Sequence, residues 1–297
     1  VTVSIGVFAH NEERRISTVL RAIVDQIQDL DTECELLVFS CASTDRTVAV
    51  AEREIAAVPL AKVISSRERR GKLAAIKEFG QLAKGDVAVI CSADVMPGPG
   101  SIAAAVRRVA AVTRPVMVGM RVVTERREPA RLVDLLTEAM WHLHHHVAKV
   151  EPKLGELVAL PMSIVREIDT VGVNCDEVVL EYLTLRAGGQ VVYLENHVVY
   201  NRAAPTLSGF LRQRRRIHCQ HLHARRILNY RVSTSRPRVL TAAVLAGIAT
   251  HRPGRGRFVT ALAALALLEA TARTLGRGDA QRGLRYTTWP HSGVPTS

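Results

Sequence analysis

An α/β fold, with a mostly parallel sheet flanked by helices and a basic helical appendage behind it, is the architecture this sequence predicts. Three observations carry it. Short Val- and Ile-rich runs alternate with stretches of helical periodicity, polar loops follow those runs, and charge divides sharply along the chain. From Asn201 onward there are 17 Arg, no Lys and two acids, Glu269 and Asp279, a net +15, whereas the first 200 residues sum to −3. With 297 residues and a hydrophobic fraction of 47%, the chain can fill a large core, which excludes disorder of the whole.

The runs 2–8, 35–40, 62–65, 87–92 and 116–123 are apolar, as parallel strands buried on both faces are. Between the first two, Ile16, Val19, Leu20, Ile23, Val24 and Ile27 recur at helical spacing and make one apolar face. Residues 45–57, 72–82 and 101–111 read as the next helices. The resulting βαβαβαβ order predicts a sheet whose ligands sit at the carboxyl ends of its strands. Farther on, 130–146 predicts a helix, 157–161 a strand, 176–187 a helix, 190–194 and 198–200 strands, and 206–228 a long basic helix. Two apolar stretches, 239–250 and 258–268, complete the pattern. Both fall short of the ~20 residues a spanning helix needs, so no transmembrane segment is expected. The division drawn from these patterns is a catalytic body over 1–230 and a basic helical region over 231–297.

Five cysteines, Cys34, Cys41, Cys91, Cys175 and Cys219, are scattered without CxxC spacing. They imply a reducing compartment and neither disulfides nor a zinc site. The sequence begins on a strand-like run with no basic or apolar leader before it, so no secretory signal is expected. A cytoplasmic location follows, with the basic tail able to hold the protein at the inner face of a membrane as a peripheral component. Such a tail implies an anionic partner: phospholipid, a phosphorylated acceptor or nucleic acid. Nucleic acid is disfavoured, because aromatic residues are only 4% of the chain and offer no stacking platform.

The chemistry concentrates after the strands. Ala9, His10, Asn11, Glu12 and Glu13 follow the first; Ser43, Thr44, Asp45, Arg46 and Thr47 follow the second. Arg69, Arg70, Gly71 and Lys72 follow the third, and Ser92, Ala93 and Asp94 the fourth. Four polar loops on one sheet edge make a site for a polar, phosphorylated ligand. Lys72 opens a helix, where its ammonium and the free backbone N–H groups can both face phosphate.

The succession SIGVFAHNEE, CASTDRT, RRGKLAAIKEF, GDVAVICSADVMP, CDEVVLEYLTLRAGG and FLRQRRRI, in that order from Ser4 to Ile217, resembles the family 2 glycosyltransferases of the GT-A fold. The resemblance implies a nucleoside-diphosphate sugar donor, uridine being favoured, and Mg²⁺ or Mn²⁺ as cofactor. A cation held by a carboxylate stabilises the charge that develops on the departing diphosphate. Asp94 matches the last acid of the family's metal-binding Asp-x-Asp motif, but Ser92 stands in place of the first. The metal site must then be weaker or completed elsewhere, His197 and His218 being candidates. Ala9, His10, Asn11, Glu12, Ser43, Asp45, Lys72, Ser92, Ala93 and Asp94 are the implied nucleotide-sugar contacts. Ser40 and Cys41 stand where the family commonly has acids.

Asp176 and Glu177 match the family's Glu-Asp pair. Inverting transfer needs one carboxylate to take the acceptor hydroxyl's proton. Spacing to Leu180 favours Glu177 and residue type favours Asp176, so the pair stays open. Gln213, Arg214 and Arg216 match the Gln-x-x-Arg-Trp element, with Ile217 replacing the aromatic, and are expected to grip a diphosphate or phosphorylated acceptor. His142 and His146 stand at i, i+4 without an HExxH acid, which favours an acceptor-pocket wall or plain helix surface over a metal site. The acceptor's identity is open, with lipid-linked and phosphorylated molecules both within expectation. The apolar tail segments are expected on a membrane surface, against the acceptor or in a homodimer contact. A sugar nucleotidyltransferase should start on a glycine-rich phosphate loop, which AHNEERR is not. A non-catalytic nucleotide-sugar-binding relative is the remaining alternative, given Ser92.

Overall fold

The computed structural model describes residues 1–125, 127–168, 173–251, 255–284 and 286, Arg255 by its backbone only. Its strands are β1 (Val3–Ala9), β2 (Cys34–Cys41), β3 (Ala61–Ser66), β4 (Val87–Ser92), β5 (Val95–Pro97), β6 (Val116–Thr124), β7 (Leu157–Pro161) and β8 (Gln190–Asn201). Its helices are α1 (Ile16–Gln28), α2 (Thr47–Ile55), α3 (Lys72–Leu82), α4 (Ser101–Ala110), α5 (Leu132–Val150), α6 (Met162–Arg166), α7 (Asp176–Arg186), α8 (Leu207–Leu228), α9 (Pro237–Thr250) and α10 (Arg255–Gln281). The residues group into two compact units: the first is Val1–Val122, Leu154–Thr170 and Val179–Asn201, the second Val123–Lys153, Val171–Val178 and Arg202–Ser297. This grouping differs from the 1–230 and 231–297 division drawn from pattern and charge, because α8 packs with α10 in the second unit.

The first unit holds one sheet of order β3-β2-β1-β4-β7-β6-β8-β5. Its β3-β2-β1-β4 half is parallel, as the alternation of strands and helices predicts. Beyond β4 the direction changes: β7 lies antiparallel to both β4 and β6, and β5 antiparallel to β8. The run 116–123 is thus buried as expected but not in a parallel pairing. The expected strands 190–194 and 198–200 are one strand, β8; exposed Glu195 and Asn196 interrupt its apolar pattern without breaking it. Strand β5 has only three residues and ends in proline, so it leaves no readable signal.

Each layer follows from its side chains. All seven residues of β1 are buried, and Phe8 stacks on Phe39 of β2 at 5.3 Å between ring centroids. Phe79 of α3 meets both rings edge-on at 6.0 and 6.1 Å. Burial of rings like these contributes on the order of 2–3 kcal/mol apiece and fastens α3 to the β1–β2 face. On the other helices the apolar stripe does the same work, Ile16, Val19, Leu20 and Ile23 of α1 being fully buried.

The second unit is helical. Val133, Leu136 and Ala139 of α5, Phe210 of α8, and Phe258 and Leu265 of α10 form its apolar centre. Thr206 caps α8, its hydroxyl accepting from the Gly209 amide at 3.1 Å, and Asn229 ends the helix in the left-handed region with φ 49°. Helices α8 and α10 approach closely at Gly276, where an added Cβ would stand 2.7 Å from the Arg215 carbonyl oxygen. Two acids of α10 tie this contact. Glu269 accepts from Arg214 and lies 2.6 Å from His218 Nε2, while Asp279 accepts from Arg215 Nε at 2.6 Å and from the Tyr286 hydroxyl at 2.7 Å.

Burial would raise the Glu269 carboxyl, but Arg214 and His218 outweigh it and hold the group at about 2. A carboxylate depressed in the folded state adds stability above its unfolded value of ~4.3, and that stability disappears as pH falls toward the folded value. Glu269→Gln should therefore lower stability by roughly 3 kcal/mol at pH 7. The gap to the parent should close between pH ~4.3 and the folded value. Urea unfolding across that range checks it; a gap independent of pH would remove the ion pair from the account.

Candidate functional site

In the first unit, the loops after β1 and β2 are stitched to one another. His10 Nδ1 lies 2.6 Å from the Cys41 carbonyl oxygen, the Asn11 amide donates to Ser43 Oγ at 3.1 Å, and the Thr44 amide donates to Asn11 Oδ1 at 2.8 Å. The Glu12 amide donates to Thr47 Oγ1 at 2.8 Å. Asp45 accepts from the Glu13 amide at 3.1 Å and from the Thr47 amide at 3.0 Å, capping α2. Burial alone would raise the Asp45 carboxyl, yet the donors on Thr47 and Glu13 keep it below the usual carboxylate range. Asp45 is therefore an anionic clamp between two loops. Asn11 and Ala42 take positive φ, 55° and 54°, conformations that cost energy and persist where neighbours fix the backbone.

These loops border a cleft of about 480 Å³ at the carboxyl ends of β2 and β3. Ser40, Ser43, Thr44, Ser65 and Ser66 line it with hydroxyls, and Arg67 adds a cation. Ala9 is buried at the end of β1 and supplies backbone only. Ser65, Ser66 and Arg67 were not singled out in the sequence; hydroxyls ending a short strand look like an ordinary turn.

One strand over, Ser92 ends β4 half-buried, and Ala93 is fully buried, its amide donating to the Phe8 carbonyl at 2.9 Å. Asp94 follows exposed, in the turn to β5. Gly71 with φ 87° starts α3, so Lys72 occupies its first turn. The buried Cys91 thiol, pushed up to about 12 by its burial, feels Lys72 on one side of the balance and Asp94 and Glu156 on the other. The fold accounts for Glu156: β4 and β7 are antiparallel with Cys91 opposite Leu157, and Glu156 immediately precedes Leu157 in the chain. A second carboxylate thus acts on Cys91, the residue before the position where the first Asp of the motif is missing. Carboxylate and hydroxyl oxygens are the donor set that Mg²⁺ and Mn²⁺ prefer. His197 does not join them, since Val95 opposite Asn201 puts it past Pro97, at the far end of β5 from Asp94. His218 is engaged by Glu269 in the second unit.

The second unit gathers the other group. Asp176 and Glu177 open α7, both half-buried. Lys153 Nζ, on a side chain only 9% exposed, lies 3.6 Å from Glu177 Oε1. Arg216, 6% exposed, is lowered by burial and supported by the charges of Glu177 and Asp176. His144 is pushed down to about 3, chiefly by burial and then by Lys153 and Arg214. His221 falls well below its ordinary value for the same first two reasons, burial and Lys153, so both imidazoles are neutral at pH 7. Gln220 donates to the Asn174 carbonyl at 2.7 Å and so holds the strand of chain that leads into Asp176.

Arg214 is committed to Glu269, and Gln213 sits half-buried beside it on α8. His142 and His146 belong to helix packing: His142 Nε2 is 3.2 Å from the Gly247 carbonyl oxygen and His146 Nε2 is 3.0 Å from Thr250 Oγ1, both on α9. Cys175, Glu177 and His221 offer ligand atoms within 4.8 Å of one another. Lys153, 3.6 Å from Glu177, and the buried Arg216, whose charge Glu177 supports, oppose a cation there. All five cysteines are free thiols.

Residues 4–145 match the model of Glycosyl transferase family 2. A mannosyltransferase from Pyrobaculum calidifontis, solved with GDP-Man and Mn²⁺, superposes with a TM-score of 0.61 at 20% identity, over 94% of this chain and 86% of that one. Glucosyl-3-phosphoglycerate synthase from Mycobacterium tuberculosis, solved with Mn²⁺, UDP and glucosyl-3-phosphoglycerate, gives 0.53 at 20% identity, over 75% and 79%. The same enzyme with Mg²⁺ and UDP gives 0.51 at 19% identity, over 75% and 78%. These likenesses establish a GT-A-like fold. No curated protein matches the sequence.

Proposed function

We infer that this chain, a glycosyltransferase of family 2 by its residues 4–145, moves a sugar with inversion from a nucleoside-diphosphate sugar to an acceptor bearing a hydroxyl and an anionic group. The observation that carries the donor half is the hydroxyl-lined cleft with Arg67. Its size suits a nucleoside, and its place at strand ends suits a phosphorylated ligand. Asn11, Ser43 and Asp45 shape the loops that border it, and His10, Glu12 and Ala9 fix those loops by their backbone or ring contacts. Lys72 and the α3 N-terminus supply positive potential for the diphosphate.

Asp94, with Glu156 and Ser92 beside it, would hold Mg²⁺ or Mn²⁺, which supplies charge stabilisation to the leaving diphosphate. Glu177 takes the acceptor proton, with Lys153 3.6 Å away to position it. Asp176 stands next to it as the alternative base. Arg216 and Lys153 attract an anionic acceptor group, and Gln213 and Arg214 border them. Acceptors of phosphoglycerate type and lipid phosphates share this chemistry. The uridine donor is favoured over guanosine, and the peripheral location follows from the tail.

Titration calorimetry with UDP, GDP and dTDP in Mn²⁺ tests the donor half. One of them should bind, and Arg67→Ala should weaken it about tenfold, the loss of a charge-assisted hydrogen bond. Unchanged binding in Arg67→Ala would move the nucleotide out of this cleft.

A further inference from the structure

The tail's charge is not spread evenly over its surface. Its only two carboxylates, Glu269 and Asp279, both turn inward to α8, where Arg214, His218, Arg215 and Tyr286 take them up. What α9 and α10 show outward is therefore neutral or positive. On α10 the exposed positions Val259, Thr260, Ala263, Ala266, Leu267, Ala270 and Thr271 carry no charge, and exposed Arg257 precedes them while exposed Arg273 and Arg277 follow. On α9 the exposed Leu245 and Ala242 continue the apolar surface behind exposed Arg238. Leu267 is 74% exposed and Leu245 64%, values unusual for leucines on a face with nothing to cover.

We propose that this outward face of α9 and α10 docks on an anionic bilayer surface, its leucines entering the headgroup boundary and its arginines meeting lipid phosphate. Charge complementarity selects the occupant: an apolar patch framed by arginine and free of outward acid fits an anionic interface. By length and composition α10 is also apolar enough to cross a membrane over Gly256–Gln281, which the expectation from 258–268 alone did not foresee. That expectation stopped the apolar segment near Glu269, whose charge the fold hides against α8. Crossing is disfavoured by spacing, because Arg257 and Arg273 are about 24 Å apart along the helix, less than the ~30 Å hydrocarbon core. The ion pairs of Glu269 and Asp279 with α8 would also have to break.

The test is co-sedimentation of the full chain with phosphatidylcholine vesicles, with and without one-third phosphatidylglycerol. Each arginine near an anionic surface raises partitioning roughly fivefold, so the protein should pellet with the anionic vesicles at 50 mM salt and leave them at 500 mM. Arg238→Gln, Arg257→Gln, Arg273→Gln and Arg277→Gln together should lower partitioning at least tenfold, and Leu245→Glu with Leu267→Glu should do likewise. Both variants should keep the parent's circular dichroism and urea midpoint, since the changed side chains are exposed. Equal pelleting of parent and variants would overturn the proposal. So would a salt-resistant fraction released only by detergent, which means spanning, or a dimer in sedimentation velocity that Leu245→Glu with Leu267→Glu dissolves while vesicle binding is absent. None of these readouts depends on turnover, so glycosyl transfer stands or falls separately.

Discussion

Glu177→Gln should lower kcat by ~10²–10⁴ while leaving nucleotide affinity within a factor of about two. The amide is nearly isosteric and keeps the contact with Lys153, which lies 3.6 Å away in the parent, but it cannot accept a proton. Attack by the acceptor oxygen then has to release its proton to water. Asp176→Asn is the control: a loss confined to KM there, with kcat near normal, leaves Glu177 as the base, and the reverse pattern exchanges their roles. Lys153→Met adds a second readout. The Lys153 ammonium 3.6 Å from Glu177 holds that carboxylate in place, so its removal should lower kcat while leaving nucleotide affinity within a factor of about two. Near-normal kcat in Glu177→Gln, Asp176→Asn and the double variant would remove both residues from proton transfer. The anomeric configuration of the product, read by NMR, tests inversion independently.

The parts of the fold that depend on local pattern could be read from the sequence. Helix α3 and strands β4 and β7 fall on their expected bounds, because apolar periodicity and the residues that punctuate it lie close together in the chain. What could not be read depends on partners far away. Glu156 comes to the end of β4 only through β4–β7 pairing, which sets Leu157 opposite Cys91, and no spacing in the sequence announces an antiparallel strand entering a parallel sheet. Lys153 and His221 are separated from Glu177 by 24 and 44 residues, so their convergence is a property of packing. Glu269 shows the opposite failure: a charge that looks like the end of an apolar segment is a half-buried tie between α8 and α10. Asp45 shows a subtler one. Its place in the loop was legible, but its carboxylate is occupied by the amides of Glu13 and Thr47, so its role is to shape the cleft.

Asp94→Asn should abolish metal-dependent transfer and weaken Mn²⁺ affinity by at least tenfold, since an amide oxygen is a poorer ligand than a carboxylate for a hard cation. Asp94 is exposed in a turn, so the substitution should leave the urea midpoint unchanged. Glu156→Gln should have a smaller effect in the same direction, because Glu156 enters from the neighbouring strand, just before the Leu157 that pairs Cys91. The informative variant is Ser92→Asp. If the missing acid is what Glu156 replaces, Ser92→Asp should restore Mn²⁺ affinity lost in Glu156→Gln while doing little in the parent, where a second carboxylate already acts. Electron paramagnetic resonance of free Mn²⁺, titrated with protein and UDP, reads this directly and does not require a known acceptor. Unaltered Mn²⁺ binding in Asp94→Asn would take the metal away from the end of β4. Unaltered binding in Glu156→Gln alone would leave Asp94 as the anchor and remove Glu156 from the metal site.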